Sequence, residues 1–203
     1  MKRAWNRVAA TLGGWEASYR SRSLGPFEPT RWVWSRGLAL SCDHNGGLLF
    51  VRGQRGSRAP LRFNPADFER VKDGDLVWTR LIALPQFLRE ALPRINARFG
   101  LVTGDEDWSI PKSFDGSAQL LDSPKLVHWF TQNLDAAGRH PKLQAFPIGL
   151  DYHTISNGPR WGHEQATPAE QEAELEQLRA NMPPNAERLL LAHADFHFNK
   201  HKH

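Results

Sequence analysis

The sequence predicts an α/β domain with a mostly parallel, doubly wound sheet and flanking helices. Three observations predict it. Short runs rich in aliphatic and aromatic residues recur as LVWTRLIAL, FGLVTG, LVHWFT, LQAFPIGL and RLLLAHADF. Segments of helical period fall between and after them, and strands alternating with helices make parallel sheets. Within 99–154, three of these runs each break into a polar cluster, and open sheets bind ligands at the carboxyl ends of their strands.

Taken in order, residues 3–20 place Trp5, Val8, Ala9, Leu12 and Trp15 on one helical face, weakened at its end by Gly13 and Gly14. SRSLGPFEPTRW is a loop by its Pro and Gly content. GLALSC (37–42) and GLLFV (47–51) read as strands, with Asn45–Gly46 between them as a hairpin signal. PADFERV is a short helix after Asn64, its N-cap. LVWTRLIAL follows the turn KDGD as a β-rich run. LPQFLREALPRINARF aligns Phe87, Leu88, Ala91, Leu92 and Ile95 on one helical face despite Pro93. FGLVTG, LVHWFT and LQAFPIGL are the next strands. TPAEQEAELEQLRANM is the clearest helix, with Thr167 as cap, Pro168 in the first helical position and acids in the first turns. RLLLAHADF closes the chain as a strand. The division expected is an N-terminal extension, 1–36, and one α/β domain, 37–203. A doubly wound domain that stops after a strand lacks its covering helix, so that domain reads as incomplete at its C-terminal end.

A length of 203 residues suffices for one domain with a proper core, and 40% hydrophobic with 24% charged residues is ordinary for a globular protein. Cys42 is the one cysteine, which excludes an internal disulfide framework and reads as a buried structural thiol. No run approaches the ~20 apolar residues of a membrane span, and MKRAWNRVAATLGGW lacks the apolar stretch of a signal peptide. The expectation is a soluble protein, cytoplasmic by default. The formal charge of +4 is spread out; Arg52, Arg55 and Arg58 form the densest basic patch. Without a basic stripe, zinc pattern or RNA-binding signature, no nucleic-acid partner is expected.

Four clusters carry candidate chemistry. Asp105–Glu106–Asp107 follows FGLVTG directly. Two carboxylates at alternate positions past a strand, Asp105 and Asp107, can hold a divalent metal that grips a diphosphate; Asp105 equally suits a turn cap. His128, Trp129, Gln132 and Asn133 offer an imidazole, a stacking face and paired amide donors and acceptors, although His128 and Trp129 also fit opposite faces of a strand. Gly149, Asp151 and His153 offer close backbone approach and a base with its partner, with Asp151 as a turn residue the plain alternative. His193, Asp195 and His197 share a strand face ahead of His201 and His203, a zinc-like arrangement or a solvated strand side. No G-x-S-x-G, Walker loop or dinucleotide-binding G-x-G-x-x-G is present.

The ordered blocks GDLVWTRLIALPQFLREALPRINARFGLVTGDEDWSIP, KLVHWFTQNLD and HPKLQAFPIGLDYHT resemble exostosin-like glycosyltransferases. A later stretch with Trp161, Gly162, Thr167, Pro168, Glu170, Gln171 and Glu172 also fits that group. The resemblance covers about residues 71–198 and none of the first 36. It implies Rossmann-like lobes facing each other, and transfer of a sugar from a nucleotide-sugar donor to a glycan or lipid acceptor. On length, this chain would hold the N-terminal lobe, with the donor lobe beyond His203. Asp105, Asp107, Asp151 and His153 would then serve catalysis, and His128, Trp129, Gln132, Asn133 and Gly149 would bind substrate. A divalent metal is a compatible cofactor. Two rivals stay open: a metal-dependent hydrolase using His193, Asp195 and His197, and a non-catalytic glycan-binding or interaction module.

Overall fold

The computed structural model describes residues 30–47, 63–135 and 139–188. The expected helix at 3–20, the strand at 47–51 for all but its first residue, the basic patch 52–58 and the closing strand with His193, Asp195 and His197 lie outside the described residues.

A four-stranded, all-parallel sheet runs β1 (Leu76–Arg80), β2 (Phe99–Gly104), β3 (Leu126–Thr131) and β4 (Leu143–Ala145), adjacent in that order. The fold is α/β, with helices flanking the sheet. The all-parallel sheet is Rossmann-like, and among the described strands each pairs with its sequence neighbour, so no reversal of order occurs among them. Crossovers of one hand that always step the same way produce simple succession, and a switch point needs a reversal. LQAFPIGL is strand only over its first three residues, although the Phe146 N–H still reaches the Thr131 carbonyl at 2.8 Å.

GLALSC is helical rather than a strand, within α1 (Ser35–Leu40) and the turn that follows it. Leu38, Ala39 and Cys42 enter the core from it, a spacing of one helix face that a strand's alternation would split. Gly37 lies under the Trp34 indole, where a Cβ would collide. Asn45 therefore turns no hairpin between two strands: its Oδ1 accepts the Gly47 N–H and its Nδ2 donates to the Ala39 carbonyl. Next to it, His44 bridges Val77 in parallel on β1.

The helix expected after β1 forms as the run 81–94 (α2), with its middle distorted. Phe87–Ala91 is a π turn and Leu92–Arg94 a 3-10 turn. Pro93 explains both, because it has no N–H and its ring crowds the carbonyl four residues back. Lys125 closes the end, its Nζ donating to the Leu92 carbonyl at 3.0 Å. Phe87, Ala91 and Ile95 are fully buried, as their spacing predicts. Phe63, Phe68, Phe87 and Phe99 form an edge-to-face series with centroids 5.4, 5.6 and 6.3 Å apart, a favoured aromatic geometry.

Further along, α3 (Ser117–Asp122) crosses from β2 to β3, and α4 (Tyr152–Ser156) follows β4. In α5 (Pro168–Ala180), Thr167 is the cap that the sequence signals, Glu170 completes a capping box with it, and no residue of the helix is buried. The 3-10 turn Pro65–Arg70 carries its cap on Asn64 as expected. No helix among the described residues is long and apolar enough to cross a membrane.

Just below the carboxyl edge of the sheet, Thr79, Thr103 and Thr131 stand side by side on β1, β2 and β3, all buried. The Trp129 Nε1–H donates to Thr103 Oγ1 at 2.9 Å, Thr103 donates to Thr131 Oγ1 at 2.9 Å, and Thr131 donates to the Gln132 carbonyl at 2.8 Å. Every member is satisfied, which is what permits hydroxyls at this depth. Thr103→Val keeps the shape but strands the indole N–H. It should lower stability by about 2 kcal/mol in urea denaturation; an unchanged midpoint would show that the row is not structural.

Candidate functional site

One side chain ties three of the strand ends together. Gln132, just past β3, accepts the Asp105 N–H on Oε1 at 3.0 Å and donates from Nε2 to the Ile148 carbonyl at 3.0 Å. It thereby ties the tip of β2 to the loop after β4. Gly104 makes room for it, since a Cβ there would collide with Gln132 Oε1. Asp105 and Asn133 each lie two residues past a row threonine, and both adopt left-handed backbone, φ 66° and 57°, which Asp and Asn tolerate best among non-glycine residues. Asn133 Nδ2 donates to the Glu106 carbonyl at 2.9 Å, and the Ile110 N–H donates to the Asn133 carbonyl at 3.0 Å.

Arg80, the last residue of β1, faces this tip. Its Nη2 donates to Glu106 Oε1 at 2.5 Å and its Nε lies 3.3 Å from Asp105 Oδ2, off the hydrogen-bonding line. All three side chains are at least three-quarters buried, so the pairing is screened less than at an open surface. Burial nevertheless outweighs the attraction of Arg80 and pushes the Glu106 carboxyl above the usual range, with Asp105 and Asp107 adding repulsion.

Asp151 and His153 form the third group. Asp151 caps α4, accepting the Thr154 N–H on Oδ1 at 3.0 Å and the Thr154 hydroxyl on Oδ2 at 2.6 Å. The same carboxylate lies 2.7 Å from His153 Nδ1, an ion-pair approach without linear hydrogen-bond geometry. Burial lowers the His153 pKa; Asp151 opposes that, Arg36 and Arg80 lower it further, and Asp105 raises it. His153 therefore lies within the fields of both the β1–β2 tip and α1. Burial thus favours the neutral form of the imidazole, and its Nε2 has no partner among the described residues.

The sequence candidates divide on this geometry. Asp105, Asp151 and His153 are brought together, while Asp107 is exposed beside them. Trp129 is removed from the cleft: it is 0% exposed, with its indole N–H engaged by Thr103, and has no face for a ligand. His128 is exposed three residues before the strand's end, its ring 6.0 Å from Phe130. Gln132 and Asn133 spend their amides on the loops rather than on a substrate. Gly149 (φ 79°) is demanded by backbone, not by a ligand: a Cβ would collide with the Val33 carbonyl, whose oxygen takes the Leu150 N–H at 2.8 Å. Cys42 is fully buried, and burial raises its thiol pKa, as expected of a structural cysteine.

Among the described residues the donors do not fit a divalent metal. The Asp105 carboxylate is turned to Arg80, and no group of three His, Cys, Asp or Glu side chains able to hold a metal occurs among the described residues. Sequence reasoning missed Arg80 and Arg36. Arg80 had a signal: it is the single charge in LVWTRLIAL, placed where a strand of ordinary length ends. Arg36 had none, because its segment read as the end of an extension. Comparison with known proteins finds no matching family model, no similar curated protein and no similar solved structure.

Proposed function

We propose that this chain carries a catalytic lobe of a glycosyltransferase of the exostosin-like kind, moving a sugar from a nucleotide-sugar donor to a glycan or lipid acceptor. The observation that carries the reading is the Asp151–His153 pair, 2.7 Å apart, in the field of Arg80 and Asp105 at the sheet's carboxyl edge. The order of the sequence blocks supports it independently.

Sugar transfer requires an acceptor hydroxyl to lose a proton as the donor's diphosphate departs. A neutral imidazole beside a carboxylate suits the first need. His153 Nε2 takes the proton, and Asp151 stabilises the imidazolium that results. Asp105 and Glu106, braced by Arg80, present carboxylate oxygens able to accept hydrogen bonds from sugar hydroxyls. Arg80 and Arg36 supply the positive charge that a departing diphosphate requires.

The test is a panel of nucleotide sugars, with released nucleoside diphosphate measured in the presence of glycan and lipid acceptors. Asp105→Ala should reduce turnover by about a hundredfold, the scale of a preorganised polar contact in a buried site. Absence of both binding and turnover across the panel, in a chain extended past His203, would end this reading.

A further inference from the structure

The turn after α4 carries a residue that the described fold does not use. The Arg160 N–H donates to the His163 carbonyl at 3.1 Å and the His163 N–H to the Arg160 carbonyl at 2.9 Å, closing a two-residue antiparallel hairpin. Its central residues, Trp161 and Gly162, have φ of 53° and 83°, the sign pattern of a type I′ turn. Asn, Asp and Gly favour that first position because a Cβ there crowds the backbone, and a bulky side chain is an outlier. Trp161 is also 72% exposed, the most exposed of the large apolar side chains among the described residues. No ring contact or hydrogen bond engages its indole among them. Strain and exposed apolar area thus coincide at one residue, and neither is offset within the described structure.

The turn is nonetheless held in place. Gln165 Nε2 donates to the Ser156 carbonyl at 3.0 Å, and Gln171 Nε2 donates to the Tyr152 carbonyl at 2.9 Å. Both anchors grip α4, the helix that carries His153. The indole is therefore presented on a fixed support rather than on a loose end.

We propose that Trp161 is a stacking platform for a carbohydrate ring, a subsite for the acceptor glycan; this rests on the glycan-handling reading above. The surroundings select that class. Arg160, Gly162, His163 and Glu164 are all exposed, so one flat apolar face is rimmed by polar groups. A protein partner would call for a contiguous apolar patch. A pyranose ring matches this rim instead. Its C–H bonds lie against the electron-rich indole face, and its hydroxyls reach outward to charged neighbours.

The experiment follows the indole N–H signals of the eight tryptophans by ¹H–¹⁵N correlation, with Trp161 identified by its loss in Trp161→Asn. The probes are cellotetraose, chitotriose and maltotetraose, with UMP as the base-stacking control. At least one saccharide should shift the Trp161 signal. Trp161→Asn should weaken that saccharide at least about tenfold, while Trp161→Phe retains part of it. The Tm of Trp161→Asn should equal or exceed that of the parent, because Asn suits the turn; this separates lost binding from lost folding. A Trp161 signal that no saccharide moves, one moved only by UMP, or full binding by Trp161→Asn would overturn the proposal. Donor turnover measured on the same samples keeps the two readings apart. Saccharide at Trp161 without turnover upholds the platform and rejects the transfer chemistry; turnover without saccharide at Trp161 does the reverse.

Discussion

His153→Ala is expected to lower sugar transfer by about a hundred- to ten-thousand-fold, the usual contribution of a positioned general base. Among the described residues at the sheet edge, this imidazole lies 2.7 Å from a carboxylate able to stabilise its charged form. Its pH dependence has a definite sign. A base works unprotonated, so turnover should rise with pH through the folded-state pKa of His153 and then level off. Burial depresses that pKa below the ordinary 6.5, so the acid limb should fall below that value. Asp151→Asn removes a charge that raises the pKa, and should shift the limb to still lower pH. Linkage runs the same way. The unfolded chain binds the proton more readily than the folded one, so stability falls as pH drops from 6.5 toward the folded pKa, and His153→Gln should remove that loss. Parent-like turnover in His153→Ala, or an acid limb that Asp151→Asn leaves in place, would assign the proton to another group.

Gly149→Ala should be the most damaging single methyl in the described structure. It demands left-handed backbone, worth roughly 1–2 kcal/mol against an L side chain. It also drives a Cβ into the Val33 carbonyl and to within 3.1 Å of the Trp34 N–H nitrogen. Neither neighbour can swing aside, because both are backbone and the Val33 carbonyl holds Leu150. The expected loss is about 3 kcal/mol, a fall in Tm of roughly 6–12 °C for a domain of this size. The change should be felt first where 33–34 meets 149–150, since Trp34 and Leu150 bridge there. A Tm within about 2 °C of the parent would mean that this contact opens freely.

Much of the architecture was legible because buried parallel strands leave a strong trace. FGLVTG and LVHWFT are largely apolar runs ended by polar residues, and both are strands at those bounds. Thr167 announced α5 through capping chemistry, which is local. GLALSC was misread because a run of six small and apolar residues is too short to separate the two periods, and the deciding contact, Trp34 over Gly37, begins outside the run. The same division holds at the site. Asp105 and His153 were candidates from their positions past strands, and both lie at the carboxyl edge of the sheet. Their neighbours were misassigned because an amide such as Gln132 looks identical whether it will hold a ligand or two loops. Asp151 meets His153 because it caps the helix that carries the imidazole, a contact set by local capping chemistry.

Gly104 and Gln132 also impose an order on how the chain can change. A side chain introduced first at 104 meets Gln132 Oε1, and the loops on either side are pushed apart at once. Trimming Gln132 first leaves an empty space above Gly104 and the Asp105 N–H without its acceptor, a loss of about 1–3 kcal/mol that a folded domain survives. The route between sequences is therefore one-way at this corner: 132 must shrink before 104 can grow.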